Sequence, residues 1–205
     1  GGKRMREVTQ GLIPKHLIPI PGPNGREEPM CFRTLRQMQP ACADTKIIID
    51  PNFQKQYTQA CVYHGINPNI IIPKISSTRQ FTGEFSTIIE QIGDARDNVI
   101  ITLGDLVFDD ETLNEFIGKS SLKVDKLIVG LDKKGLRYGD TIMLVAQIPV
   151  DILKKIAEIN PESARDILRY GLPFILGNRI RIKLLHCIAN VNNPEVYERV
   201  RSSLH

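Results

Sequence analysis

Two short runs of aliphatic and β-branched residues constrain this chain most. Lys46-Ile47-Ile48-Ile49 ends at the turn Asp50-Pro51-Asn52, and Val99-Ile100-Ile101-Thr102-Leu103 ends at Gly104-Asp105. Apolar runs of this length suit strands covered on both faces, as in the sheet of an α/β protein. Each run ends at an acidic turn, and open α/β sheets place their ligands at the carboxyl ends of their strands.

The remaining pattern extends this rhythm. Apolar positions and breakers predict a helix over about 53–64 ended by Gly65, a strand over 69–75 and a helix near 81–92. Further on come a helix over 111–118 capped by Asp109 or Asp110 and strands over 124–130 and 141–148. A helix from Val150 to Asn160 turns Ile152, Leu153, Ile156 and Ile159 inward, and another runs from Glu162 to Tyr170. A strand over 179–185 and a helix near 194–203 close the sequence. Strands separated by helices predict an α/β three-layer sandwich with a mostly parallel sheet. Residues 1–45 hold Pro14, Pro19, Pro21, Pro23, Pro29 and Pro40, which exclude long helices there. Leu12, Ile13, Leu17, Ile18 and Ile20 make this stretch too apolar for a free tail. The expectation is therefore a Pro-rich arm, 1–45, packed on a domain spanning 46–205. A short helix through Cys31–Met38 would place Phe32, Leu35 and Met38 on one face and Arg33 and Arg36 on another.

Composition narrows the chemistry. The longest apolar run is far below the ~20 residues of a membrane-spanning helix, and the first residues lack the apolar core of a signal peptide. The four cysteines show no C-x-x-C spacing, so no zinc site is expected and reduced, buried thiols are. The net charge of +4 is segregated: +6 over 1–83, −8 over 84–115 and +6 over 116–205. If the basic blocks share a face they form a patch for an anionic partner.

Motifs for catalysis are sparse. There is no G-x-G-x-x-G, no P-loop and no G-x-S-x-G elbow. Ser76-Ser77-Thr78 reads as a helix cap, and His16, His64, His186 and His205 lie in no acid–histidine motif. Asp50, Asp105, Asp109 and Asp110 could hold a divalent ion for hydrolysis; the alternative is that they cap turns and helices.

The strand-end turns carry a resemblance. The order of parts resembles the SGNH-hydrolase family, with Asn52 at the position of the nucleophilic serine. Gly104 stays in its expected turn, while Leu106 and Val107 stand at the positions of the Asn-Asp pair. No Asp-x-x-His occurs. The resemblance implies a catalytically degenerate hydrolase fold without cofactor or metal. A basic, degenerate domain of this kind is similar to the C-terminal domains of Oskar-type insect germ-plasm organisers. That likeness implies a non-enzymatic, RNA-binding domain engaging messenger RNA, including 3′ untranslated regions, in germ-plasm assembly. Cytoplasmic ribonucleoprotein granules would be its location, and granule proteins further partners, with no membrane. Arg179, Arg181 and Lys183 fall on one strand face at a spacing that can follow phosphates, with Arg33, Arg36, Lys133 and Lys134 as further cations. The bland alternative for the 179–183 stripe is an edge strand protected by charge. A metal-dependent or esterase-type hydrolase and a protein-interaction scaffold using the apolar arm are the other two readings.

Overall fold

The computed structural model describes residues 5–22, 25–42, 44–67, 69–71, 87–92, 98–118, 127–132, 143–158, 180–185 and 187–204. In chain order the elements begin with α1 (Arg6–Thr9), β1 (Pro19–Pro21), β2 (Glu27–Pro29), α2 (Met30–Met38) and β3 (Lys46–Ile48). Next come α3 (Gln54–His64), β4 (Asn69–Ile71), β5 (Asn98–Thr102), β6 (Leu106–Phe108) and α4 (Asp110–Gly118). The rest are β7 (Leu127–Asp132), β8 (Met143–Pro149), α5 (Val150–Glu158), β9 (Ile180–Leu185), β10 (Cys187–Asn190) and α6 (Pro194–Ser203). The chain divides into two compact units. One gathers Gly1–Ile72, Leu103–Gly118 and Cys187–His205; the other gathers Pro73–Thr102 and Lys119–His186.

The first unit is held by two apolar clusters. Met5, Ile18, Ile20, Met30, Val107, Ala189, Val191, Tyr197 and Val200 form one; Leu17, Cys31, Phe32, Leu35, Ile49, Tyr57, Cys61 and Ile66 form the other. Each fully buried aliphatic side chain contributes ~1.5–3 kcal/mol, so the N-terminal stretch contributes to the core. Local signals end its elements as the sequence suggests. Gly65 takes φ +62°, and Ile66 N donates to Cys61 O at 2.9 Å, closing α3 in a left-handed cap. Asp109 accepts from Thr112 N at 2.6 Å to start α4. Asn193 accepts from Val196 N at 2.9 Å, with Pro194 following, to start α6. Tyr197 of α6 then donates its hydroxyl to Pro19 O at 2.8 Å, tying the helix to β1.

In the second unit the strand order is β5-β8-β7-β9. The inner strand β8 buries Val145, Ala146 and Ile148, and α5 packs on it with Ile152, Leu153 and Ile156 turned in. Strand β5 lies at the edge of the described sheet, and its side chains are only half-buried, although its sequence reads as a doubly covered strand.

The sheet direction corrects the sequence expectation. Among the described residues, β5–β8, β7–β8, β1–β2 and β6–β10 are antiparallel; only β3–β4 and β7–β9 are parallel. The chain is α/β, but with short, largely antiparallel sheets instead of the mostly parallel SGNH-like sandwich. An apolar run encodes burial and leaves the partner's direction to tertiary pairing. No helix among the described residues is long and apolar enough to cross a membrane.

Candidate functional site

Three separated segments of the first unit converge on one lysine. Pro14 is extended (φ −67°, ψ 146°), and Leu17 N donates to Pro14 O at 2.9 Å, so residues 15–17 form a single 3-10 turn. Burial of Leu17 and Ile18 anchors that turn and leaves Lys15 at its start. The Lys15 ammonium contacts the Asp105 carboxylate and donates to Asn192 Oδ1 at 2.9 Å. Asp105 stands in the turn leading into β6, whose Leu106, Val107 and Phe108 are fully buried and fix the position of the turn. Asn192 follows β10, and Val191 N donates to the Asp105 carbonyl at 3.0 Å, stitching the two segments together. Asn190 and Asn192, two residues apart in extended chain, share a side; Asn192 Nδ2 donates to Asn190 Oδ1 at 2.6 Å. That bond sets the amide so that its oxygen faces Lys15.

Both charges are largely withdrawn from water, the Lys15 and Asp105 side chains being 14% and 12% exposed. Removing one partner would strand the other, at a cost on the order of 3 kcal/mol. Beside them, His16 lies against Gly104, and the Tyr57 hydroxyl sits 3.3 Å from its Nδ1. Burial holds the His16 imidazole below its ordinary pKa, partly opposed by the Asp105 carboxylate. Burial pushes the Cys31, Cys61 and Tyr57 groups up, so none supplies a thiolate or phenolate nucleophile at neutral pH. What remains is a cation, a carboxylate and two amide oxygens: a set suited to binding phosphate and a hard cation rather than to covalent catalysis.

Arg33 and Arg36, singled out in the sequence, are engaged in other contacts of the first unit. Arg33 is 8% exposed within α2, which packs against β6 and α4, and its guanidinium donates to Pro21 O at 3.4 Å. Arg36 pairs with Glu28 at 2.9 Å and donates to His64 O at 3.0 Å. Arg181 and Lys183 belong to β9, whose backbone alone is described at those positions. Lys133, Lys134, Arg179, Ser76–Thr78, His186, His205 and the helix expected over 162–170 lie outside the described residues. Asn52 is exposed and its N–H donates to Asp50 Oδ1 at 2.9 Å, which is a turn cap and not a nucleophile position. Gly104 backs His16, and Leu106 and Val107 are core. Of the four weighed aspartates, Asp50 and Asp109 are caps, whereas Asp105 reaches Lys15. Lys15, Asn190 and Asn192 were not anticipated. The available signals were a lone cation inside the apolar run Leu12–Ile20 and three asparagines, Asn190, Asn192 and Asn193, around the end of a strand.

No protein-family model and no curated protein matches the sequence. Solved structures match its fold. Rv0371c from Mycobacterium tuberculosis H37Rv superposes with a TM-score of 0.62 at 12% identity, over 92% of this chain and 89% of that one. A second structure of that protein is a manganese complex. The 4-diphosphocytidyl-2C-methyl-D-erythritol synthase of Anaerococcus prevotii gives 0.63 at 12% identity, over 88% and 86%. The inositol-1-phosphate CTP transferase of T. maritima gives 0.63 at 13% identity, over 99% and 91%. The fold is thus shared with these proteins and is not that of SGNH hydrolases.

This corrects the functional expectations. The likeness to Oskar-type domains falls with the hydrolase fold on which it rested, and the inactive, RNA-binding, germ-plasm reading falls with it. The esterase-type alternative loses the same support. The scaffold alternative relied on the apolar arm, of which Leu17, Ile18 and Ile20 are core and Leu12 is exposed.

Proposed function

We propose that this chain is a nucleotidyltransferase of the CTP-transferase type, with its phosphate-handling centre at Lys15, Asp105 and Asn192. The observation that carries the reading is the convergence of those three side chains from segments 90 and 177 residues apart. The names of two structures sharing the fold, a diphosphocytidyl-methylerythritol synthase and an inositol-1-phosphate CTP transferase, suggest the nucleotide.

In such a transfer an acceptor oxygen bonds to the α-phosphorus of the triphosphate. The α–β phosphoanhydride bond breaks, its electron pair goes to the leaving pyrophosphate, and the acceptor's proton passes to solvent. Catalysis of this kind is mainly positioning and charge stabilisation. Lys15 offers a mobile point charge with three donors for phosphate oxygens. Asn190 keeps Asn192 oriented, and the buried β6 holds Asp105 in place. His16, neutral and packed, keeps the Lys15 turn closed without adding charge.

The donor set fits a divalent cation of the magnesium or manganese kind. Asp105 and Asn192 Oδ1 are hard oxygen ligands, and such ions take one or two carboxylates and complete their shell with substrate phosphates and water. Among the described residues no group of three His, Cys, Asp or Glu forms a full protein cage. When bound there, the cation would neutralise charge on the departing phosphates.

The test is nucleotide binding by calorimetry with each of the four common nucleoside triphosphates and Mg²⁺ or Mn²⁺, followed by pyrophosphate release against a panel of phosphate-monoester acceptors. Lys15→Ala and Asp105→Asn should each lower turnover by ~10²-fold or more while far-ultraviolet circular dichroism stays unchanged. Absence of binding at about 1 mM of every nucleotide would refute the reading.

A further inference from the structure

We infer that Lys15 guards Asp105, so that the site takes a divalent cation only together with a triphosphate and holds it poorly alone. The inference deepens the nucleotidyltransferase reading and rests on it. Its basis is geometric. The Lys15 ammonium already touches Asp105 Oδ2 and donates to Asn192 Oδ1 at 2.9 Å, so it engages the asparagine oxygen and one of the two carboxylate oxygens a cation would use.

Neither oxygen can turn away to serve a second partner. Asn192 is locked by its bond to Asn190, and its backbone is pinned on one side by the Val191–Asp105 hydrogen bond and on the other by the Asn193 cap of α6. Asp105 is pinned by the same Val191 bond and by buried β6. Lys15 is the movable part, because its four-carbon stem can swing while its backbone stays in the 3-10 turn. For it to leave Asp105, its charge must find another anion in a place that water scarcely reaches. A triphosphate supplies that anion, and a bare cation does not.

Charge balance points the same way. Among the described residues around the pair, Lys15 and Asp105 cancel, Asn190, Asn192 and Tyr57 are uncharged, and burial lowers the pKa of the neighbouring His16. A free dication therefore meets an ion pair without net charge, in which Lys15 already holds one carboxylate oxygen. With nucleotide present, Lys15 moves to phosphate and Asp105 becomes available as the phosphates bring further oxygens. Coupling of this kind is reciprocal: the cation must raise nucleotide affinity by the factor by which nucleotide raises cation affinity.

The experiment compares wild type, Lys15→Gln and Lys15→Gln/Asp105→Asn. Mn²⁺ binding without nucleotide is read from the electron paramagnetic resonance signal of free Mn²⁺. Binding of the α,β-methylene analogue of CTP, which cannot release pyrophosphate, is read by calorimetry with Mn²⁺ and with EDTA. Wild type should bind Mn²⁺ weakly and bind the analogue about tenfold or more tighter with Mn²⁺ than with EDTA. Lys15→Gln should bind Mn²⁺ alone about tenfold tighter than wild type, and the double variant should lose that gain. Lys15→Met replaces Lys15→Gln if the latter fails to fold. Wild type binding Mn²⁺ alone as tightly as Lys15→Gln would overturn the guard while leaving the transferase reading intact, provided the analogue still binds. Failure of wild type to bind the analogue under any condition would instead remove the transferase reading itself.

Discussion

Replacing Gly130 by alanine should be among the more costly single-methyl additions in this protein. Gly130 lies in β7 between β8 and β9, opposite Val145 and Lys183, at the point where the β7–β8 register shifts. A Cβ built there would sit 2.3 Å from Leu185 Cδ1 and 2.8 Å from Val145 Cγ1. Carbon contacts prefer ~3.5–4.0 Å, so Leu185 must retreat by roughly 1 Å or more, and β-branched Val145 has little freedom to follow. Both side chains are buried, and β7 cannot shift without straining two ladders. Overpacking of this kind costs ~1–3 kcal/mol. The unfolded chain, stiffened by alanine, returns ~0.4–1 kcal/mol, which leaves a net loss of about 1–2 kcal/mol. A double-mutant cycle with Leu185→Ala isolates the cause. Leu185→Ala alone should cost ~2–5 kcal/mol, and in that background Gly130→Ala should cost clearly less, the remaining close contact being the one with Val145 Cγ1. Urea unfolding with unchanged m-value reads each variant. A neutral Gly130→Ala, or costs that add within ~0.5 kcal/mol, would refute the close-approach argument.

Two further outcomes are expected. Asp109→Ala removes the bonds to Thr112 N and Thr112 Oγ1, at 2.6 and 2.9 Å, and should lower unfolding stability by ~1 kcal/mol, whereas Asp109→Asn should recover most of it. His16, whose pKa is depressed mainly by burial, binds fewer protons folded than unfolded; its contribution is complete above the unfolded value of ~6.5 and lost as pH falls below it. Wild type should therefore lose stability relative to His16→Gln as pH falls below about 6.5, and a pH-independent difference between the two would count against a neutral buried imidazole.

The parts of the fold visible in the sequence were those encoded locally. Gly65 ended α3, and Asp109, one of the two aspartates weighed as a cap, opened α4, because cap chemistry needs only three or four neighbouring residues. The apolar spacing of α5 showed which face turns in, since one helix face suffices to state it. Strand direction was hidden: nothing between 98 and 102 says that β8, some forty residues on, will run the opposite way beside it. The site was hidden for the same reason. Asp105 was a candidate for ion binding, but its partner is 90 residues earlier, and Asn192 gains meaning only when Lys15 arrives beside it. Arg33 misled because a basic residue in an amphipathic pattern suggests an outer face, yet α2 is enclosed by β6 and α4 and folds its guanidinium back onto Pro21.

The first unit is discontinuous, drawing on three stretches of chain, and this has a consequence for how it is made. On a ribosome working at ~5–20 residues per second, the stretch carrying Lys15 emerges long before the one carrying Asn192, by roughly 10–35 seconds. Throughout that interval Met5, Ile18 and Ile20 lack the Val191, Tyr197 and Val200 that later cover them. Until translation delivers β10 and α6, the apolar side chains of that earlier segment therefore lack their native cover.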